Sequence, residues 1–265
     1  MQLTISLAQI DIALGNPEAN LQKAAEWVEE AARRGSDLVV FPEMWTTGYD
    51  WDNLEQLSAL QHETISAVSE LAKKHNIWFN GSFMALNSEG RPANTSILFD
   101  PQGEQAGVYC KIHLFGLMDE DQYMAAGQHL TTVETPWGSN GLAICYDLRF
   151  AEMFRTYALN GVNIIYLPAE WPHPRLAHWR TLIRARAIEN QMYMMAVNCV
   201  GDNGKNTFCG HSAIIDPWGN AVIEAGESEV LLTATIETDM VAQVRETIPV
   251  FKDRRPELYQ LNQKS

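Results

Sequence analysis

Three residues of this chain combine a reactive side chain with a place at the end of an apolar run. Cys145 closes Gly141-Leu142-Ala143-Ile144, Glu43 follows Leu38-Val39-Val40-Phe41-Pro42, and Lys111 ends the segment Glu104 to Lys111. A strand that runs out at a thiol fixes the backbone while leaving the sulfur reachable, and the turn behind it supplies backbone N–H groups. A thiol titrates near 8.5 in a simple peptide, so reaction near neutrality needs a base and a cation close by. A glutamate can take the thiol proton and pass it to a leaving group, and a lysine can favour thiolate and later hold a tetrahedral oxyanion. Taken singly, the cysteine reads as a small buried hydrophobe and the glutamate as a solvated loop residue. Three strand ends together read as one site.

The elements that must position these groups are legible from spacing. Residues 3–10 read as a first strand, and Asn16 caps a helix with Pro17 at its first position and Leu21, Ala24, Ala25, Val28 and Ala32 on one face before Gly35. The run from Leu38 to Phe41 is too uniformly apolar for a surface strand. A helix is predicted over 62–75, a strand from Ile77 to Phe83, and a hairpin turning at Asp100-Pro101-Gln102-Gly103 delivers Lys111. Residues 112–121 have no clean period and read as a loop. After Cys145 come a helix from Phe150 to Leu159, a buried strand Val162 to Leu167 running into Pro168-Ala169-Glu170, and a helix from Leu176 to Asn190. The Pro-then-Glu exit echoes Pro42-Glu43, and Asp216-Pro217-Trp218-Gly219 repeats the earlier turn. Two similar α/β halves are expected, with two mixed sheets face to face and helices outside, in a single domain spanning 1–265. Residues 237–265 are expected to cross onto a partner subunit.

Bulk composition narrows the partners. With 265 residues, 46% apolar, and a net charge of −14, the chain can bury a large core but lacks the concentrated positive charge that nucleic acid or an anionic membrane demands. Cys110, Cys145, Cys199 and Cys209 form no CxxC pair, so neither a zinc site nor a disulfide framework is expected, and reduced thiols in the cytoplasm are. Cys110 lies beside Lys111 and points to the other face of its strand, so it reads as packing. No targeting segment or membrane span is visible.

Through Phe41-Pro42-Glu43, Tyr109-Cys110-Lys111-Ile112-His113-Leu114 and Ile144-Cys145-Tyr146-Asp147-Leu148-Arg149-Phe150, the chain resembles the nitrilase superfamily of carbon–nitrogen hydrolases over nearly its whole length. The resemblance implies an α-β-β-α four-layer sandwich with two pseudo-symmetric halves and a homodimer or larger homo-oligomer. It implies Glu43 as general base, Lys111 as the oxyanion-stabilising cation and Cys145 as the nucleophile that forms a thioester, with Glu120, seven residues before Gly127, as a second glutamate. No metal or organic cofactor is implied.

A finer similarity, through Trp45-Thr46-Thr47-Gly48-Tyr49-Asp50, Ala169-Glu170-Trp171-Pro172, Pro174-Arg175, His178-Trp179 and residues 185–191, is to ω-amidases of the bacterial branch linked to methionine salvage. Such enzymes hydrolyse 2-oxoglutaramate and related monoamides of dicarboxylic acids. The oxyanion is then expected between Lys111 and the backbone N–H of Tyr146, the anionic far end of the substrate on Arg175, and the pocket walls at Trp171 and Tyr49. Arg149 is expected to be structural, paired with Glu189 or another buried acid. The alternatives are an N-carbamoyl compound or simple aliphatic amide as substrate, a non-catalytic binding protein on the same fold, and a papain-type cysteine–histidine pair using His113.

Overall fold

A computed structural model describes residues 1–259. Its fourteen strands are β1 (Gln2–Gln9), β2 (Leu38–Val40), β3 (Trp78–Leu86), β4 (Pro92–Phe99), β5 (Gln105–Cys110), β6 (Thr132–Thr135), β7 (Gly138–Leu142), β8 (Ile164–Ala169), β9 (Tyr193–Asn198), β10 (Val200–Asp202), β11 (Thr207–Cys209), β12 (Ala213–Ile215), β13 (Ala221–Glu224) and β14 (Val230–Glu237). One six-stranded sheet runs β14-β1-β2-β3-β4-β5 and the other β6-β7-β8-β9-β12-β13, with β10 and β11 a separate ribbon. In each sheet an antiparallel edge strand is followed by three parallel strands and then an antiparallel hairpin. The expected repeat of halves is therefore present down to strand direction.

Alternation along the strands decides the layers. Leu38 and Val40 of β2 join Leu3, Ile5 and Leu7 of β1 in the core between the sheets, where they meet Leu142, Ile164 and Met195 of the second sheet. Val39 and Phe41 point the other way and pack with Ala24, Val28, Val68 and Ala72 of the helices Pro17–Arg33 and Gln61–His75. Trp179, Ile183 and Ala187, from the helix Leu176–Asn190, cover the outer face of the second sheet with Phe154 and Tyr157 of the helix Ala151–Leu159. The order is helix, sheet, sheet, helix. Because β2 and β8 are buried on both faces, their uniform apolarity is required rather than incidental.

The local signals hold. Asn16 accepts the Ala19 N–H at 3.1 Å and so caps its helix. In both hairpin turns one aspartate oxygen takes two backbone N–H groups: Asp100 from Gln102 and Glu104, and Asp216 from Trp218 and Asn220. Gly103 and Gly219 sit at φ +81° and +86° in the same place in each turn. The strand expected to end at Phe83 continues to Leu86. The strand expected to carry Cys145 stops at Leu142, and Cys145 instead opens a 3₁₀ turn, Cys145–Arg149.

Of the segment 237–265 expected on a partner, residues 260–265 lie outside the described residues. The helix Met240–Thr247 packs on its own chain, where Arg245 donates to the Val162 carbonyl at 2.7 Å and stacks on Phe251.

Candidate active site

Lys111 follows β5 directly, its N–H bound to the Asn94 carbonyl at 2.9 Å and its carbonyl to the Gly127 N–H at 2.8 Å. A side chain at Gly127 would stand 2.0 Å from the Cys110 carbonyl oxygen, so this return of the chain admits only glycine. From there the fully buried Lys111 Nζ lies 2.7 Å from both Glu43 Oε1 and Glu120 Oε2. Glu43 arrives from the end of β2, and the next residue, Met44, is held at φ +44° with its N–H on Ser82 Oγ. Glu120 arrives from the loop after β5 and takes the Phe115 N–H at 2.7 Å.

Two neutral groups complete the network. Tyr49 donates its hydroxyl to Glu43 Oε1 at 2.5 Å, and Asn94 Nδ2 reaches Glu43 Oε1 at 2.8 Å and Glu120 Oε1 at 2.9 Å. Glu43 Oε2 accepts the backbone N–H of Glu170 at 2.8 Å. Tyr49 was expected in the pocket wall; its ring is instead enclosed, because a buried hydroxyl is drawn to an acceptor and the carboxylate pair provides one.

Cys145 stands at φ +42°, a conformation that costs a non-glycine residue roughly 1–2 kcal/mol. Asp147 holds it there. Its carboxylate accepts the Ile144 N–H at 2.9 Å and the Tyr109 hydroxyl at 2.8 Å, and it also takes His113 Nδ1 at 2.8 Å. His113 stacks on Phe150, with ring centroids 3.5 Å apart. One ring nitrogen of His113 is thus held by Asp147, and no hydrogen bond joins the ring to the sulfur among the described residues. The opening N–H groups of such a turn have no partner within it, so the Tyr146 N–H is available to a developing anion beside the sulfur.

The charges follow from the contacts. Burial alone would raise the Glu43 carboxyl, but the charge and hydrogen bond of Lys111, with Tyr49 and the Glu170 N–H, hold it below the ordinary glutamate value. Burial opposes the Lys111 charge, and Glu120 and Glu43 more than offset that, so the ammonium is raised well above its usual range. Burial and then the Glu43 carboxylate push the Cys145 thiol well up, against a smaller pull from Lys111. Lys111 does favour thiolate, as expected, but burial and Glu43 outweigh it, so the thiol is held above its ordinary value. The proton has to pass to Glu43 as the sulfur attacks.

A narrow pocket opens on Cys145, lined by Phe115, Tyr146, Arg149, Trp171 and Arg175 among others. The Arg149 guanidinium lies 4.8 Å over the Trp171 ring, and that of Arg175 lies 5.6 Å over Phe115. Among the described residues neither arginine pairs with a carboxylate. Trp171 is pinned by its N–H on Asn198 and its indole N–H on the Arg175 carbonyl. The expected pairing of Arg149 with Glu189 is absent; Glu189 holds Arg186 at 2.8 Å, and the turn that begins at Cys145 returns Arg149 to the pocket.

The structure brings Glu43, Lys111, Glu120 and Cys145 together and sets Tyr146, Trp171 and Arg175 on the pocket that opens on the sulfur. Sequence reasoning missed Asn94 and misplaced Arg149. A polar residue repeating every second position in Asn80, Ser82 and Asn94, Ser96 of two buried strands was the available signal for Asn94. No cluster of three or more metal-ligating side chains occurs among the described residues.

A model of the carbon–nitrogen hydrolase family matches residues 4–246. The chain is 42% identical over 260 residues to the 2-oxoglutaramate amidase of Bacillus subtilis (strain 168), covering 98% of this chain and 100% of that protein. It is 32% identical to an omega-amidase of Mus musculus over 98% of this chain and 99% of the mouse protein. Among solved structures it is similar to a CN-hydrolase superfamily protein of Xanthomonas campestris that carries an arsenic adduct in its active site. That likeness has a TM-score of 0.90 at 30% identity, over 96% of this chain and 98% of the other.

Proposed function

This chain belongs to the carbon–nitrogen hydrolase family, and from that premise we propose that it is an ω-amidase. It hydrolyses the amide of a small dicarboxylic acid monoamide, of the 2-oxoglutaramate, 2-oxosuccinamate or succinamate type, to acid and ammonia. The observation that carries the reading is the pocket itself: a buried thiol beside a lysine–carboxylate cluster and, lining the same pocket, two guanidiniums without carboxylate partners. A substrate with a neutral amide at one end and a carboxylate at the other matches both.

In the proposed mechanism Cys145 Sγ attacks the amide carbon while Glu43 takes the thiol proton. The oxyanion is held by Lys111 Nζ and the Tyr146 N–H, and collapse expels ammonia with the proton returned from Glu43. Water, deprotonated by Glu43, then adds to the thioester, and cleavage of the C–S bond gives the free acid and regenerates the thiol. Glu120 keeps the lysine in place and ties residue 115 of the pocket loop to it. Arg149 and Arg175 hold the distal carboxylate, and Trp171 walls the chain between. Tyr49 orients Glu43 rather than touching substrate.

We read residues 1–265 as one hydrolase domain acting as a homodimer or larger assembly in the cytoplasm. Four free cysteines support the reducing compartment, and the exposed side chains of Trp218, Leu258 and Tyr259 support a second copy.

The test is ammonia release from 2-oxoglutaramate, succinamate, an N-carbamoyl amino acid and butyramide, with Cys145→Ala as blank. Release from the first two alone, lost in the variant, is the expected result. Preferential release from the carbamoyl compound or from butyramide would overturn the substrate class.

A further inference from the structure

One carboxyl in the pocket has no part in the chemistry above. Glu170 follows β8, is 2% exposed, and lines the same pocket as Cys145. Its Oε1 is buried with no hydrogen-bond partner. Among the described residues its carboxyl makes no ion pair, although Arg149 and Arg175 line the same pocket. A buried polar atom left unpaired costs about 1–3 kcal/mol, so it calls for a partner that arrives later.

Its position says where along a bound substrate that partner lies. The backbone N–H of Glu170 is bonded to Glu43 Oε2 at 2.8 Å, and the next residue, Trp171, carries the Arg149 guanidinium on its ring. Glu170 thus sits between the catalytic carboxylate and the guanidinium end. A substrate whose carboxylate rests on that guanidinium brings position 2 of its acyl chain, the carbon beside the carboxylate, towards Trp171 and Glu170.

Resting on the dicarboxylic monoamide reading of this pocket, we propose that Glu170 is a specificity-determining residue whose carboxyl O–H donates a hydrogen bond to an oxo oxygen on that chain, selecting 2-oxo monoamides over those with only methylenes. The groups around it agree. Burial first, and then the carboxylates of Glu43 and Glu120, push its carboxyl well above the ordinary range against the opposing charge of Lys111. A protonated carboxyl offers a donor, and an oxo group is an acceptor only. A methylene at the same place leaves that donor desolvated and unpaired, which is how a polar pocket rejects an analogue lacking the matching group.

The experiment compares kcat/KM for 2-oxoglutaramate and for glutaramate in the wild type, Glu170→Gln and Glu170→Met. Gln keeps an N–H donor of similar reach; Met fills the space without one. The wild type should favour the 2-oxo substrate about tenfold or more, Gln should retain most of the preference, and Met should abolish it while still hydrolysing glutaramate. If Met does not fold, Glu170→Ala takes its place. A preference unchanged in Met or Ala, or absent in the wild type, overturns the assignment. Equal loss on both substrates in a folded variant also overturns it, since Glu170 would then act through Glu43. Hydrolysis of butyramide but of neither acid amide would reject the dicarboxylic reading itself, and the role of Glu170 with it.

Discussion

The two halves of this molecule deliver a glutamate to the same place in two topologically equivalent sheets, Glu43 after β2 and Glu170 after β8, and make opposite use of it. Both are buried, both stand close behind a proline at a strand end, and they touch, the Glu170 N–H on Glu43 Oε2. What differs is the hairpin that follows in each half. In the first, β4 and β5 lead to Lys111, which crosses to Glu43 with Tyr49 and Asn94 in support. In the second, β12 and β13 lead to Glu224, which faces outward to Arg180 and Arg184 at 2.6 and 2.9 Å. One glutamate is therefore stabilised as an anion, and the other has no cation in contact, so burial and the neighbouring Glu43 raise its carboxyl well above the ordinary range. Repetition of a fold places side chains, while the unrepeated loops set their charge.

That contrast breaks most sharply by substitution on either side of it. Glu43→Gln should lower kcat by about 10³-fold or more, because both proton transfers pass through it. Glu170→Gln should stay within about tenfold on 2-oxoglutaramate. Steady-state rates for the pair check this, and similar losses in both would erase the distinction.

Lys111→Met removes the cation that two buried carboxylates share. The folded protein should lose about 3–5 kcal/mol in urea unfolding, in addition to losing activity. A variant as stable as the wild type would show that Glu43 and Glu120 do not depend on Lys111.

The distal end should respond in binding rather than turnover. Arg149→Ala or Arg175→Ala is expected to raise KM for succinamate about ten- to a hundredfold with little change in kcat, because a carboxylate loses a charge-assisted contact. An unchanged KM in both variants would remove them from the substrate site. Smallest of all should be His113→Ala. Its ring serves Asp147 rather than the sulfur, so the rate should fall by less than about tenfold. Complete loss of activity in a folded His113 variant would revive a cysteine–histidine pair.

How far this was legible in the sequence depends on the range of the cause. The uniformly apolar β2 and β8, the Asn16 cap, both Asp-Pro-x-Gly turns and the helix Leu176–Asn190 come from neighbours within a few residues, and each stood where the pattern put it. The reactive groups at three strand ends were legible for the same reason. Arg149 was not, because the turn expected after Cys145 does not by itself say which way its last side chain points. Asn94 was not, since its partners Glu43 and Glu120 lie 51 and 26 residues away. The charge on Glu170 was not either: its Pro-x-Glu echo marked the position, but ionisation is set by which cations fail to reach it. The balance at the Cys145 thiol was not legible either, since it depends on burial and on Glu43 as well as on Lys111.

The opposite ionisation of the two glutamates is best tested by unfolding free energy against pH, from about pH 3 to pH 8, for the wild type, Glu43→Gln and Glu170→Gln. Glu43 has a folded value below the 4.5 of an unfolded glutamate, so its contribution is fully present above that pH and fades as pH falls through the folded value. Glu170 has a folded value above 4.5, so it favours the native state at low pH and costs stability as pH rises past 4.5. The difference between wild type and Glu43→Gln should therefore change on the acid side of about 4.5, and that between wild type and Glu170→Gln on the alkaline side. Both differences changing on the acid side would mean two ionised glutamates, and would contradict the assignment of one as base and the other as hydrogen-bond donor.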